Sequence, residues 1–157
     1  MRPKGCHCVE SRFVVSACLA GVPCRYDGRV VSCPPVVRLV ALGRAVPACP
    51  EWLGGLSVPR PPCELCQGRV CTRAGGDLTA AFVLGAQRGT ALALRQGCTA
   101  AILKSRSPSC GLGQVYDGTF SGALRPGDGL WGPLLQKNGL HLFTEENLPA
   151  WLTDGHF

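Results

Sequence analysis

Three cysteines in this sequence lie within three residues of a glycine or proline, near the ends of predicted β-strands. Cys18 follows RFVVSA, Cys49 follows AVPA, and Cys110 lies in the loop after CTAAILK. Thiolates bind zinc, iron and iron–sulfur clusters, and a set of three leaves one metal position open, as in catalytic metal sites. Buried cysteines without a metal are also common in protein cores. The positions at strand ends favour metal or cluster ligation.

Polar residues accompany two of these cysteines. Glu51 comes two residues after Cys49, and a carboxylate beside a metal site can donate or accept a proton. A surface glutamate that caps a turn is the alternative. The loop SRSPSCGLG has small residues that let backbone N–H groups point at an anion or at cluster sulfurs, and Ser107 and Ser109 add hydroxyl groups. A plain turn is the alternative for this loop.

Two basic residues lie near these candidates. Arg25 belongs to a polar loop that we expect at the same sheet edge as Cys18, where a guanidinium can bind phosphate. Lys104 lies at the entrance to the serine-rich loop. Its ammonium group can stabilise a negatively charged cluster or substrate there.

Four further cysteines have no single interpretation. Cys24 lies six residues after Cys18 and is a fourth ligand, a sulfur relay or neither. Cys63 and Cys66 form a CxxC motif, and Cys71 follows. Such a motif is typical of a zinc or redox site, but the chain has no second CxxC to complete a zinc site.

Alternating strand and helix patterns predict the fold. The predicted strands are RFVVSACL (12–19), AVPACPE (45–51), CTAAILK (98–104) and HLFT (141–144). Helical patterns separate them, which indicates an α/β fold with a mostly parallel, Rossmann-like sheet and flanking helices. Ligands of such sheets bind outside the carboxyl ends of the strands. We therefore expect the three cysteines that follow the strands to meet at one edge.

The helices and loops are predicted from capping residues and composition. One helix is predicted after Ser32, and the clearest helix begins at Asp77 or Thr79 and ends at Gln96. The stretch 52–76, rich in Gly, Pro, Arg and Cys, is predicted to be a long cysteine-rich loop, and loops of this length in a compact domain are usually functional or partly structured. GLGQVYDGTFSGALRPGDG predicts a hairpin or turns, LWGPLLQKNG a helix, and ENLPAWL a closing helix.

Composition and charge exclude several classes of partner. The chain has 157 residues, of which 46% are hydrophobic and 17% charged, so it fits one compact domain. The net charge of +6 favours a small anionic ligand. Because Lys and Arg are scattered singly, we expect no nucleic acid polymer. No apolar run reaches the roughly 20 residues of a membrane helix, so we expect no membrane partner.

The cysteine content indicates a reducing compartment. The chain has 11 cysteines, an odd number, and its polar, basic start has no secretory signal pattern. We therefore expect a cytoplasmic protein whose cysteines are free, catalytic or metal-bound. Residues 1–11 are predicted to be a flexible N-terminal extension, and residues 12–157 a single domain. The sequence carries no signal for the oligomeric state.

Five motifs occur in a fixed order across most of the chain. They are SACLAGVPCRYDG, CPEWLGGLSVPRPP, GGDLTAAFVLGA, AILKSRSPSCG and VYDGTFSG, and they lie between Val14 and Phe143. In these motifs the sequence resembles the TudS-type thiouracil desulfidase family, bacterial [4Fe-4S] proteins formerly described as a domain of unknown function. Five ordered motifs are far more specific than a single CxxC.

The resemblance implies a cofactor and a reaction. It implies a [4Fe-4S] cluster on Cys18, Cys49 and Cys110, with a free fourth iron that binds the thiocarbonyl sulfur of the substrate. A water-derived oxygen then replaces the sulfur, so that thiouracil or 4-thiouridine monophosphate gives uracil or UMP and hydrogen sulfide. The implied partner is thus a small thiolated pyrimidine or its nucleotide.

Roles for individual side chains follow from the same resemblance. Glu51 would handle protons for the attacking water, and Ser107 and Ser109 would orient the base or support the cluster. Arg25 and Arg60 would hold a phosphate. The alternatives are a non-catalytic zinc or iron–sulfur binding or sensor protein, and a redox protein that uses the CxxC pair.

Overall fold

The computed structural model describes residues 11–155 and places eight strands and five α-helices in them. The strands are β1 (Phe13–Ser16), β2 (Ala45–Ala48), β3 (Cys63–Cys66), β4 (Arg69–Thr72), β5 (Ala100–Leu103), β6 (Gln114–Tyr116), β7 (Leu124–Pro126) and β8 (His141–Thr144). The helices are α1 (Pro34–Ala41), α2 (Pro50–Leu53), α3 (Thr79–Arg95), α4 (Trp131–Lys137) and α5 (Ala150–Thr153). The predicted extension lies outside the described residues, except for Ser11.

A four-stranded parallel sheet with the order β2-β1-β5-β8 forms the centre of the fold. Every residue of β1 and β5 is buried, as expected for central strands that are covered on both faces. One apolar cluster, which includes Val36 and Leu39 of α1, covers one part of the sheet, and a second includes Ala86 of α3 and Trp131 of α4. The prediction of an α/β domain with a mostly parallel sheet is confirmed.

The first strand is shorter than predicted. It ends at Ser16, and Ala17–Ala20 form a 3-10 turn that contains Cys18. Gly21, with φ of +93°, closes this turn in the left-handed region, and its amide donates to Cys18 O over 3.2 Å. The chain therefore turns at the edge of the sheet, and Cys18 lies in the turn.

The second strand is also shorter than predicted, since it ends at Ala48. Cys49 is the residue before α2, and Pro50 occupies the first helical position, where its missing N–H is harmless. Glu51 therefore lies in the first turn of a helix. A Cβ on Gly85 of α3 would lie 1.7 Å from Pro50 O. The two helices therefore approach so closely that only glycine fits at position 85.

The helix starts agree only in part with the predicted caps. The N-cap residue of α1 is Cys33 and not Ser32, and no side chain forms a capping hydrogen bond at this end of the helix. The side chain of Asp77 does stabilise the start of α3, since its Oδ1 accepts a hydrogen bond from the Thr79 amide over 2.9 Å. The N-cap residue of α3 is Leu78, however, so neither Asp77 nor Thr79 is the predicted cap itself.

The cysteine-rich stretch 52–76 is partly structured, since it contains the last two residues of α2 and the antiparallel hairpin β3–β4. Leu65 and Val70 face each other in this hairpin and are buried. The second hairpin, β6–β7, lies where turns or a hairpin were predicted. Glu64 joins the two hairpins, since its Oε1 accepts hydrogen bonds from Gly118 N (3.0 Å) and Phe120 N (3.1 Å).

The length and hydrophobicity of the helices bear on whether one of them could cross a membrane. Within residues 11–155, none of them combines the length and the apolar character that crossing a bilayer requires.

Candidate active site

A cavity of about 400 Å³ opens at the carboxyl edge of the parallel sheet. Cys18 from the turn after β1, Cys49 from the end of β2 and Cys110 from the loop after β5 all line it. The cavity therefore lies at the edge of the sheet where parallel α/β proteins bind ligands. Residues that are far apart in the sequence meet there because their strands are neighbours in the sheet.

Cys24 lies between two of these cysteines. It is 2% exposed and lines the same cavity. A hydrogen bond from the Cys24 thiol lowers the pKa of Cys18, and the same thiol lowers the pKa of Cys49 to about 7. The pKa of Cys24 itself is raised, because its proton is held between the two sulfurs. Cys24 thus favours the thiolate form of both neighbours, which is the form that binds metal.

Cys110 has a different environment. It is 4% exposed, and burial raises the pKa of its thiol. Hydrogen bonds from Ser16 and Ser109 act in the opposite direction, and Ser109 Oγ lies 3.6 Å from Cys110 Sγ. A bound metal ion deprotonates a coordinating thiol outright. A buried thiol with two hydroxyl donors nearby suits a metal-bound sulfur.

The donor set of the cavity consists of three cysteine sulfurs, from Cys18, Cys49 and Cys110. Thiolates are ligands of iron–sulfur clusters, and three of them leave one metal position without a protein ligand. The residues present therefore fit a cluster with one open metal position.

Glu51, Ser109 and Ser107 form a line of hydrogen bonds in the cavity wall. Ser109 Oγ donates to Glu51 Oε2 over 3.2 Å, and the two serine hydroxyl oxygens are 2.9 Å apart. Ser109 is 1% exposed, whereas Ser107 is half-buried. The hydrogen bonds therefore connect the Glu51 carboxylate, through the buried hydroxyl of Ser109, to the partly accessible hydroxyl of Ser107.

Ser107 also organises the loop after β5. Its Oγ accepts hydrogen bonds from the backbone amides of Ser109 and Cys110, each over 3.1 Å. This side chain thereby fixes the turn that presents Cys110 to the cavity. Small polar residues favour such local bonds from side chain to backbone over regular structure.

Arg60, predicted to contact a phosphate, lies behind the cavity wall and not among the residues that line it. Its guanidinium contacts Glu51 Oε1 at 3.2 Å, Ser57 O at 3.0 Å and Cys24 O at 2.9 Å. The side chain is 4% exposed. It is therefore placed to hold protein groups and not a ligand in the cavity.

Arg25 and Lys104 do line the cavity, and both are paired with acidic residues. Arg25 forms an ion pair with Asp27 over 3.2 Å, and hydrogen bonding to this carboxylate raises the pKa of Arg25. Lys104 Nζ pairs with Glu145. Lys104 also contributes its backbone amide, which donates to Ser16 Oγ over 2.9 Å.

The CxxC motif is split by the pleat of β3. Successive side chains of a strand point to opposite faces, so residues three apart do not share a face. Cys63 lines the cavity, and burial raises the pKa of its thiol to about 11. In the register of the hairpin, Cys66 lies opposite Arg69, and Cys71 lies opposite Glu64. The motif therefore does not bring its two thiols together as a zinc or redox pair would require.

Sequence reasoning missed two polar residues of the site. Ser16 is 2% exposed and interacts with both Lys104 and Cys110, and a polar residue at the end of an apolar strand was its only signal. Glu64 lines the cavity. It lies between the two cysteines of the CxxC motif, and its residue type alone gave no signal of a role.

The comparisons with known proteins show the family of the chain. A model of the 2-thiouracil desulfurase family matches residues 13–147. YbbK of Bacillus subtilis (strain 168), an uncharacterized protein, is 39% identical over 146 residues, which cover 87% of this chain and 97% of that protein. The solved structure of the [4Fe-4S]-dependent thiouracil desulfidase TudS is 42% identical, with a TM-score of 0.85 over 93% of this chain and 98% of that one. The predicted resemblance is confirmed, and the chain belongs to the 2-thiouracil desulfurase family.

Proposed function

We propose that this protein is a [4Fe-4S]-dependent desulfidase that removes sulfur from a thiolated uracil. The reaction is the hydrolysis of C=S: one water enters, the carbonyl oxygen replaces sulfur, and hydrogen sulfide leaves. The observation that carries the proposal is the meeting of Cys18, Cys49 and Cys110 with the Glu51–Ser109 pair in one cavity. The family membership and the similarity to TudS support the same reaction.

The cluster ligands are Cys18, Cys49 and Cys110. Each follows a different strand of the parallel sheet, so the sheet holds them in a fixed arrangement. When bound through three cysteines, the cluster supplies an iron without a protein ligand, a Lewis acid with affinity for the soft thiocarbonyl sulfur. The three ligands are those that the family motifs imply, and Cys24 lines the same cavity beside them.

Glu51 is the proton acceptor for the attacking water. Its Oε1 is held by Arg60 and its Oε2 by Ser109, so the carboxylate is fixed in one orientation at the cavity wall. General acid–base groups of this kind contribute about 10²–10⁴-fold to a rate. Ser107 lies within hydrogen-bonding distance of Ser109 and offers the accessible hydroxyl that orients the pyrimidine.

The substrate is a small thiolated pyrimidine, as base, nucleoside or nucleotide. A cavity of about 400 Å³ lies within the size range of small-molecule sites. A phosphate would meet the cations of the wall, among them Arg25 and Lys104, and binding there would compete with Asp27 and Glu145; Arg106, paired with Glu146, is the third cation of the wall. We also propose a cytoplasmic location, because all nine described cysteines are free thiols.

Anaerobic reconstitution tests the proposal. The protein is loaded with iron and sulfide without oxygen, and sulfide release is measured with 2-thiouracil and with 4-thiouridine monophosphate. We expect a brown protein with four irons per chain that releases sulfide over many turnovers. A cluster that forms without turnover on either compound would indicate a binding or sensor protein. Failure to form a cluster would contradict the ligand assignment.

A further inference from the structure

Arg60 is a buried cation beside the active-site cavity. Its side chain is 4% exposed, although arginine is seldom buried without partners. Removing a guanidinium from water is costly unless charged and polar groups replace the lost hydration. The contacts of Arg60 therefore indicate what this costly burial achieves.

Both contacts of Arg60 with Glu51 go to the same carboxylate oxygen. Nε and Nη2 each lie 3.2 Å from Glu51 Oε1. The other oxygen, Oε2, is left for Ser109 Oγ, which also lies 3.2 Å away. Arg60 at Oε1 and Ser109 at Oε2 together fix the orientation of the carboxylate.

The remaining donors of Arg60 anchor it to the backbone. Nη1 donates to Ser57 O over 3.0 Å, and Nη2 donates to Cys24 O over 2.9 Å. Two backbone carbonyls on different segments therefore hold the guanidinium still. An anchored cation can in turn hold the Glu51 carboxylate still.

We propose that Arg60 is a positioning residue for Glu51. It aims Oε2 toward Ser109 and the cavity and makes no contact with substrate. This inference rests on the proposed function, in which Glu51 accepts the proton of the attacking water. It replaces the phosphate contact expected from the sequence, which would require a guanidinium that faces the cavity.

The test compares Arg60→Met and Arg60→Lys in the reconstituted enzyme. For Arg60→Met we expect kcat to fall on the order of tenfold to a hundredfold, since a misplaced catalytic group can lower a rate by that much. KM should stay within twofold for both 2-thiouracil and 4-thiouridine monophosphate, and iron per chain should be unchanged. Lysine keeps the positive charge but lacks the planar guanidinium with its several N–H donors, so Arg60→Lys should give an intermediate kcat.

Arg88→Met is the matched control. Arg88 also contacts α2, since its Nη1 donates to Leu53 O over 2.7 Å, but it does not touch Glu51. We expect its kcat to stay within twofold of the wild type. A second control places Arg60→Met in the Glu51→Gln background, where it should lower the residual turnover less than twofold, because the group that it positions is already gone.

Several outcomes would overturn the inference. A rise in KM for the monophosphate alone would make Arg60 a phosphate contact. An equal loss of kcat with and without Glu51, or an iron content that falls in Arg60→Met and Arg60→Lys alike, would make its role structural. Wild-type kcat in Arg60→Met beside an inactive Glu51→Gln would refute the positioning role alone. Full turnover in Glu51→Gln would instead refute the proton role in the proposed function.

Discussion

Ser109 Oγ donates a hydrogen bond of 3.2 Å to Glu51 Oε2, which joins residues 58 positions apart in the chain. Glu51 lies in the first turn of α2, and Ser109 lies in the loop that follows β5. The contact thus connects the segments that carry Cys49 and Cys110. The proposed proton acceptor is thus linked directly to the loop that carries a proposed cluster ligand.

Glu51→Gln tests the role of the carboxylate. Glutamine keeps the shape and can still accept from Ser109, but it does not take a proton. We expect kcat to fall on the order of 10²–10⁴-fold with full iron content, as measured by sulfide release and iron analysis. Glu146→Gln is the control, since Glu146 pairs with the half-exposed Arg106 outside the line of hydrogen bonds. Equal activity in the two variants would remove Glu51 from the mechanism.

Ser109→Ala and Ser107→Ala should differ in their effects. Ser109→Ala removes a hydrogen bond to a charged group, so we expect about a tenfold loss of kcat with the cluster retained. Ser107→Ala also frees the amides of Ser109 and Cys110, so it should lower iron content as well as kcat. Ser121, an exposed serine, gives the control variant Ser121→Ala. Identical iron contents in all three variants would contradict the loop-organising role of Ser107.

Single alanine substitutions of Cys18, Cys49 and Cys110 test the cluster ligands. Each should prevent stable loading, because the two remaining thiolates hold a cluster weakly. Iron and acid-labile sulfide per chain are the measurements, made under anaerobic conditions. Cys98→Ala is the matched control, since Cys98 is buried at 6% exposure and does not line the cavity. Normal iron content in any of the three ligand variants would refute that assignment.

Gly85→Ala tests how closely α2 must approach α3. The new Cβ would lie 1.7 Å from Pro50 O, a backbone atom next to Glu51, so α2 has to move. We expect a loss of about 1–3 kcal/mol in the free energy of unfolding, together with a lower kcat. Urea unfolding and sulfide release are the measurements.

Gly89→Ala is the control for that substitution. Its Cβ would lie 3.0 Å from the Trp131 ring, a side chain and not the backbone beside Glu51. It should destabilise the protein while kcat at full iron content stays near the wild-type value. If Gly85→Ala also left kcat unchanged, the position of α2 would not control the reaction.

The sheet was predictable because its central strands, β1 and β5, are buried on both faces and are apolar runs in the sequence. The run at β5, AAIL, is fully buried, and the expectation that residues after the strands share one edge depends only on parallel topology. Strand ends were less predictable. Apolar residues continue past Ser16 into a 3-10 turn, so hydrophobicity alone overestimates β1.

Interactions between distant side chains were not predictable from the sequence. Arg60 is nine residues from Glu51, but whether it faces ligand or protein depends on the fold of the segment between them. The CxxC spacing brings two thiols together in a turn or helix, whereas in β3 the pleat places the two thiols on opposite faces of the strand. The role of Cys24 between two sulfurs appears only when β1 and β2 are neighbours.

The β3–β4 hairpin contributes Cys63 and Glu64 to the cavity wall, yet it shares no backbone ladder with the parallel sheet. A substitution in this hairpin can therefore change one wall of the cavity without breaking a backbone hydrogen bond of the sheet whose edge carries Cys18, Cys49 and Cys110.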